Sequence, residues 1–261
     1  MSKIGIIAIA RNEQLYIREW VEHHLDMGFD NIILADNDDT FLLPGIIQYQ
    51  AVLHENYCGV EKVQPLAYTE LYNKYRSQFD WLLFIDIDEF VMLDQDYKYI
   101  HDFLDDFNCD VVRINWKCFS DNDALDTLGD YMVVERFRDQ YLCSADTFAK
   151  SFINTRVDLG NRKVYGHGIY DKTLDARNAL GDPCENINPH TNRIVHQVCW
   201  LNHYPTKTIG EYIRQKYGRG GANGNPGRYR AWESYFFRFN RRTQEKIDYA
   251  NKLINMLKNE Q

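Results

Sequence analysis

The 261-residue sequence contains no apolar run near the roughly 20 residues that a membrane-crossing helix needs. Its first apolar stretch, Ile4–Ala10, has seven residues, and Arg11, Asn12 and Glu13 stand where a leader peptide would carry small residues. That stretch therefore reads as a buried strand. Cysteine is sparse: the six residues at 58, 109, 118, 143, 184 and 199 form no CxxC pair, which excludes a zinc knuckle and a disulfide framework and points to a reducing, cytoplasmic setting. Basic excess is also missing. Lys and Arg number 30 against 38 Asp and Glu, a net charge of −8, so nucleic acid is not an expected partner. There are no internal repeats and no low-complexity tracts, and 44% hydrophobic with 26% charged residues excludes a disordered chain.

The charge is uneven. Residues 1–210 hold 19 basic against 33 acidic side chains, whereas residues 211–261 hold 11 against 5. Such a basic segment suits either a solvated helix face or a peripheral contact with an anionic membrane.

Along the chain, Ile4–Ala10 has the unbroken apolar pattern of a strand covered on both faces. Leu15, Ile17, Trp20, Val21, His24 and Leu25 then recur at helical spacing, with Gly28 as the stop. Ile32–Ala35 is a second buried strand, which completes a βαβ unit and points to a doubly wound sheet. A helix over 65–78, a strand over Trp81–Ile85, a short helix over 98–107 and a strand over Asp110–Asn115 repeat the theme. The pattern fades over 120–200. It returns in Thr208-Ile-Gly-Glu211, a capping box that opens a helix ending near Gly218. Gly218–Gly227 reads as a loop, and Ile247, Ala250, Leu253, Ile254 and Leu257 make an amphipathic C-terminal helix.

Two acid clusters end predicted strands, at the edge where open α/β sheets bind ligands. In Leu83-Phe-Ile-Asp86-Ile-Asp88-Glu89-Phe90, residues two apart on an extended chain share a face, so Asp86 and Asp88 are expected to project together while Ile85 and Ile87 face the core. Converging carboxylates repel unless a cation or proton neutralises them, and oxygen ligands suit Mg2+ or Mn2+. Asp36, Asp38 and Asp39 end the second strand, either as a turn or as acceptors for a nucleobase or ribose. His23 and His24 are expected to be packing or capping groups on their helix.

Ile9-Ala-Arg-Asn-Glu13, Trp20-Val-Glu-His-His24, Asp36-Asn-Asp-Asp39, Trp81-Leu-Leu-Phe-Ile-Asp-Ile-Asp-Glu-Phe90 and Leu201-Asn-His-Tyr204 with Lys207 occur in this order. In that order and spacing the chain resembles GT-A fold nucleotide-sugar glycosyltransferases of the branch near families 2 and 92. The resemblance implies a mixed, mostly parallel Rossmann-like sheet flanked by helices. It places a catalytic domain over 1–205, with a donor-binding half at 1–115 and an acceptor half at 116–205, and a basic helical segment at 206–261.

It also implies site residues. Ala10, Arg11, Asn12 and Glu13 cradle the uridine, Asp36 or Asp38 contacts base or ribose, Asp88 binds the metal, and Asp86 lies near ribose and metal. His203 reaches the metal or diphosphate. On physical grounds Lys207, or Arg214 and Arg219 on the basic helix, would add positive charge at the same oxygens. A divalent Mn2+ or Mg2+ would stabilise the departing diphosphate. The implied activity moves a hexose from a UDP-sugar to a saccharide or glycolipid acceptor, as in bacterial surface polysaccharide or lipooligosaccharide synthesis. An inverting transfer needs a base, for which Asp121, Asp123, Glu135 and Asp139 are unranked candidates. An acceptor sugar has Trp116 or Trp200 to stack on, although core packing is the commoner job. The alternatives are a nucleotidyltransferase, a glycosidase using Asp86 and Glu89, and a non-catalytic sugar or nucleotide binder.

Overall fold

The computed structural model describes residues 1–38, 46, 48–61, 63–126, 132–217 and 232–259. Asp39, the Gly218–Gly227 stretch and Arg219, all singled out in the sequence, lie outside the described residues. The chain divides into two compact units, residues 1–117 with 144–202, and residues 118–143 with 203–261. The second unit thus takes in 118–143 alongside the C-terminal segment.

The first unit is built on a mixed sheet. Strands β1 (Ile4–Ala10), β2 (Asn31–Asp36), β3 (Val52–Asn56) and β4 (Trp81–Phe84) pair in parallel in the order β3-β2-β1-β4. β1 and β2 read as continuous apolar runs because both of their faces are covered. Helix α1 (Ile17–Asp26) joins β1 to β2 and stops at Gly28, whose φ of +90° a side chain would resist. Leu15, expected on the buried face of that helix, instead precedes it and is exposed. Helix α2 (Val63–Tyr75) packs Val63, Ala67, Tyr68, Leu71 and Tyr72 against Ile7, Ile33 and Phe84.

Beyond β4 the sheet changes character. Strand β5 (Glu89–Leu93), helix α3 (Ile100–Leu104) and strands β6 (Val111–Cys118), β7 (Ala149–Asn154), β8 (Ala176–Asn178) and β9 (Cys199–His203) complete it. β7 runs antiparallel to both β4 and β6, β8 pairs with β6, and the path continues β7-β6-β9-β5. The helix expected over 98–107 shortens to the five residues of α3.

The second unit is helical among its described residues. It comprises α4 (Val133–Arg136), α5 (Ile209–Gln215), α6 (Trp232–Phe236) and α7 (Gln244–Asn259). The capping box forms as the sequence foresees: the Thr208 hydroxyl accepts the Glu211 amide, and Glu211 returns a carboxylate to the Thr208 amide. Ile209, Tyr212, Ile213, Phe236, Ala250 and Ile254 form the core of this unit. Among the described residues, no helix is long and apolar enough to cross a membrane.

Candidate functional site

Parallel pairing decides where the loops meet. In the ladder Ala10 lies opposite Asp36 and Ile7 opposite Phe84, so the segments after β1, β2 and β4 emerge side by side from one sheet edge. After β1, Asn12 takes a left-handed backbone at φ 57° and turns the chain back toward β2. Its amide donates to Asp38 Oδ2 at 3.2 Å, and Gln14 Nε2 donates to the same oxygen at 2.7 Å. The Asp38 amide in turn donates to Asp36 Oδ1 at 3.1 Å. Asp36, Asp38 and Glu13 are all buried, while Arg11 is exposed. The structure therefore brings Asn12, Asp36 and Asp38 into one hydrogen-bonded cluster.

Asp86, Ile87 and Asp88 depart from the expected extended geometry. β4 ends at Phe84, and the Glu89 amide donates to the Asp86 carbonyl at 3.1 Å, closing a turn. The two acids thus stand on a turn rather than on alternate positions of a strand. The reversal lets the chain leave the centre of the sheet and enter β5 at its far edge. Ile85 and Ile87 are buried, as expected.

A network beneath the turn was not legible in the sequence. Lys150, fully buried on β7, donates from Nζ to Asp86 Oδ2 at 2.8 Å and to the Gly166 carbonyl at 2.6 Å, and lies 3.3 Å from Glu89 Oε2. Gln64 of α2 donates to Asp86 Oδ1 at 3.2 Å, and the Tyr68 hydroxyl donates to the Ile85 carbonyl at 3.2 Å. Gly166 leaves room for this arrangement, because a Cβ at that position would sit 2.7 Å from Gln64 Oε1 and oblige the amide to shift. From the other side α1 grips β5: Trp20 Nε1 donates to the Glu89 carbonyl at 2.7 Å, and the Val91 amide donates to His24 Nε2 at 3.2 Å. His23 also reaches the Val91 carbonyl, at 2.7 Å, so the two histidines position β5.

The electrostatics follow from this crowding. Burial pushes the Glu89 carboxyl well above the usual range against the pull of Lys150, and Asp86 and Asp88 add repulsion. Burial would lower Lys150, but Asp86 and Glu89 outweigh it and hold the ammonium charged. Asp86 and Glu89 thus share one buried ammonium, while Asp88 adds a third acid to the turn. Glu89 Oε1 is buried and has no hydrogen-bond partner among the described residues. Carboxylate oxygens in excess of the one ammonium suit a hard divalent cation of the Mg2+ or Mn2+ kind.

The remaining candidates belong to the second unit. His203 ends β9, is buried, and places Nδ1 3.9 Å from Cys118 Sγ. Lys207 is buried with φ 54°. Asp121 is buried and paired with Lys246 at 2.7 Å, and Asp123 lies 2.9 Å from the same ammonium. Glu135 on α4 and Asp139 are exposed. In the first unit, Trp116 packs its ring against Phe148 and His167, with centroids 4.9 and 5.1 Å apart.

Residues 47–155 match the sequence model of glycosyltransferase family 92. That span contains the acid turn, Gln64 and Lys150. Among solved structures, S. aureus TarS is similar at 15% identity and a TM-score of 0.38, over 59% of this chain and 28% of TarS. The galactosyltransferase LgtC, solved with donor and acceptor sugar analogues, is similar at 16% identity and a TM-score of 0.29, over 60% of this chain and 61% of LgtC. The chain thus spans less than two thirds of either protein. None of the curated protein sequences matches it.

Proposed function

We propose that the chain is a metal-dependent glycosyltransferase that moves a hexose from a UDP-sugar to a hydroxyl of a saccharide or glycolipid. One observation carries this reading: the acid turn, with its excess of carboxylate over ammonium, lies inside the segment that matches family 92 and shares a sheet edge with the Asn12–Asp38 cluster. Asp36 and Asp38 would receive base or ribose hydroxyls, beside the loop from Ala10 to Glu13. The acid turn would hold Mn2+ or Mg2+, which when bound screens the diphosphate as it departs. His203 and Lys207 are proposed to act on the same diphosphate. The base for the acceptor hydroxyl, in an inverting transfer, is proposed among Asp121, Asp123, Glu135 and Asp139. Asp121 and Asp123 already neutralise Lys246, which favours the exposed Glu135 and Asp139. A place in bacterial surface-glycan assembly, cytoplasmic and against an anionic membrane, is part of the same proposal and draws on the basic residues of 211–261.

Thermal melting with UDP, with and without Mn2+, tests the proposal. At a hundredfold excess over Kd a ligand adds about 2.7 kcal/mol of stability, a readily measured rise in melting temperature. Stabilisation by UDP is expected to need the metal, and UDP release is expected from one member of a nucleotide-sugar panel. Asp88→Ala should abolish the metal dependence; unchanged dependence would falsify the site assignment.

A further inference from the structure

Both carboxylate oxygens of Asp86 are already engaged by the protein. Its Oδ2 accepts from Lys150 Nζ at 2.8 Å and its Oδ1 from Gln64 Nε2 at 3.2 Å. Lys150 is equally committed: an ammonium has three protons, and Asp86 Oδ2, the Gly166 carbonyl and Glu89 Oε2 surround it at 2.8, 2.6 and 3.3 Å. It has no proton to spare for a phosphate. Glu89 is divided between two tasks. Its Oε2 accepts the Asp86 amide at 2.9 Å and faces Lys150, whereas Oε1 is buried without a partner among the described residues. An unsatisfied carboxylate oxygen in the interior is costly, which a bound cation would relieve. A carboxylate oxygen of Glu89 and one of Asp88 lie within 4.8 Å of each other, close enough to share one ion.

We propose that Lys150 is a positioning residue that keeps Asp86 off the cation and fixes Glu89, so that Asp88 and Glu89, rather than Asp86, supply the turn's metal oxygens. The proposal rests on the reading of the acid turn as a cation site and assigns its ligands. Gln64 and Gly166 complete the device, one holding Asp86 and the other admitting Gln64 at close range.

Mn2+ titrated into the full chain, followed by calorimetry and by the electron paramagnetic resonance signal of free Mn2+, tests the assignment. Glu89→Gln and Asp88→Asn should each weaken Mn2+ by about tenfold or more, the scale of a lost metal-site partner, while Asp86→Asn changes it by at most about threefold. In Lys150→Met the released Asp86 is free to join the ion, so adding Asp86→Asn should then cost affinity that it did not cost in the parent. That coupling is the signature of positioning, which a merely structural lysine would not produce. Glu89→Asp keeps the charge but withdraws the oxygen, and it serves if Glu89→Gln fails to fold by circular dichroism; weakened Mn2+ binding is again expected. Loss of affinity in Asp86→Asn with none in either Glu89 variant would overturn the assignment and leave the cation site standing. If the parent chain bound no Mn2+ with or without UDP, the cation site and the assignment would both fall.

Discussion

Lys150 and His167 both lie in the first unit, and Lys150 repels a proton on His167, yet they carry opposite electrostatic lessons. Lys150 stays charged in the interior because two carboxylates surround it. Removing it as Lys150→Met should cost about 3 kcal/mol in urea unfolding, toward the low end for a broken buried pair because Asp86 is partly exposed. His167 Nδ1–H donates to the Ala149 carbonyl, 3.0 Å away, and burial, with Lys150 adding repulsion, lowers it from 6.5 to about 3. The unfolded chain therefore binds a proton between those values that the folded chain refuses. Stability should fall as pH drops from about 6.5 toward 3, at up to about 1.4 kcal/mol per pH unit. His167→Asn should flatten that slope in pH-dependent urea melts; an unchanged slope would remove His167 as its source. The sequence made Asp86, Asp88 and Glu89 visible because acids interrupt an apolar run. It hid Lys150, which lies 64 residues from Asp86 in a stretch with no clear period.

At the scale of elements, what could be read ahead was what local periodicity encodes. β1, α1, β2 and β4 follow from unbroken apolar runs and helical spacing, and α5 from its capping box. β5, β7, β8 and β9 are short and depend on partners distant in sequence, so no local pattern announces them. The turn at 86–88 differs from the expected extended chain because a two-residue alternation looks the same until a hydrogen bond from Glu89 closes it. Two substitutions probe single elements. Gly168 pairs with Tyr165 at φ +118°, where a Cβ would meet Ser151 Oγ at 2.6 Å. Gly168→Ala should therefore destabilise by about 2 kcal/mol or more through strain and overpacking. Glu211 caps α5 and pairs with the largely buried Arg136 at 2.8 Å, so Glu211→Ala removes both a cap and an ion-pair partner. A loss of about 3 kcal/mol is expected in thermal or urea unfolding.

For the whole molecule the governing quantity is the distribution of charge. A net charge of −8 conceals an acidic body and a basic end, with 11 basic against 5 acidic side chains over 211–261. If that end meets anionic lipid, binding to phosphatidylserine vesicles should be measurable at low salt and should fade as ionic strength shortens the screening length below about 10 Å. Sedimentation with neutral vesicles is the control, and binding that ignored salt would remove the proposal.

The placement of β1 between β2 and β4 also bears on synthesis at the ribosome. The earliest of these strands to emerge is used in the interior of the sheet, and the partner for one of its edges, Trp81–Phe84, is translated much later. Until then the nascent chain carries an all-apolar ribbon with an open side, the kind of surface that chaperones shield. Slow codons or pauses before Trp81 should thus lengthen the window for aggregation, whereas pauses after it should matter less.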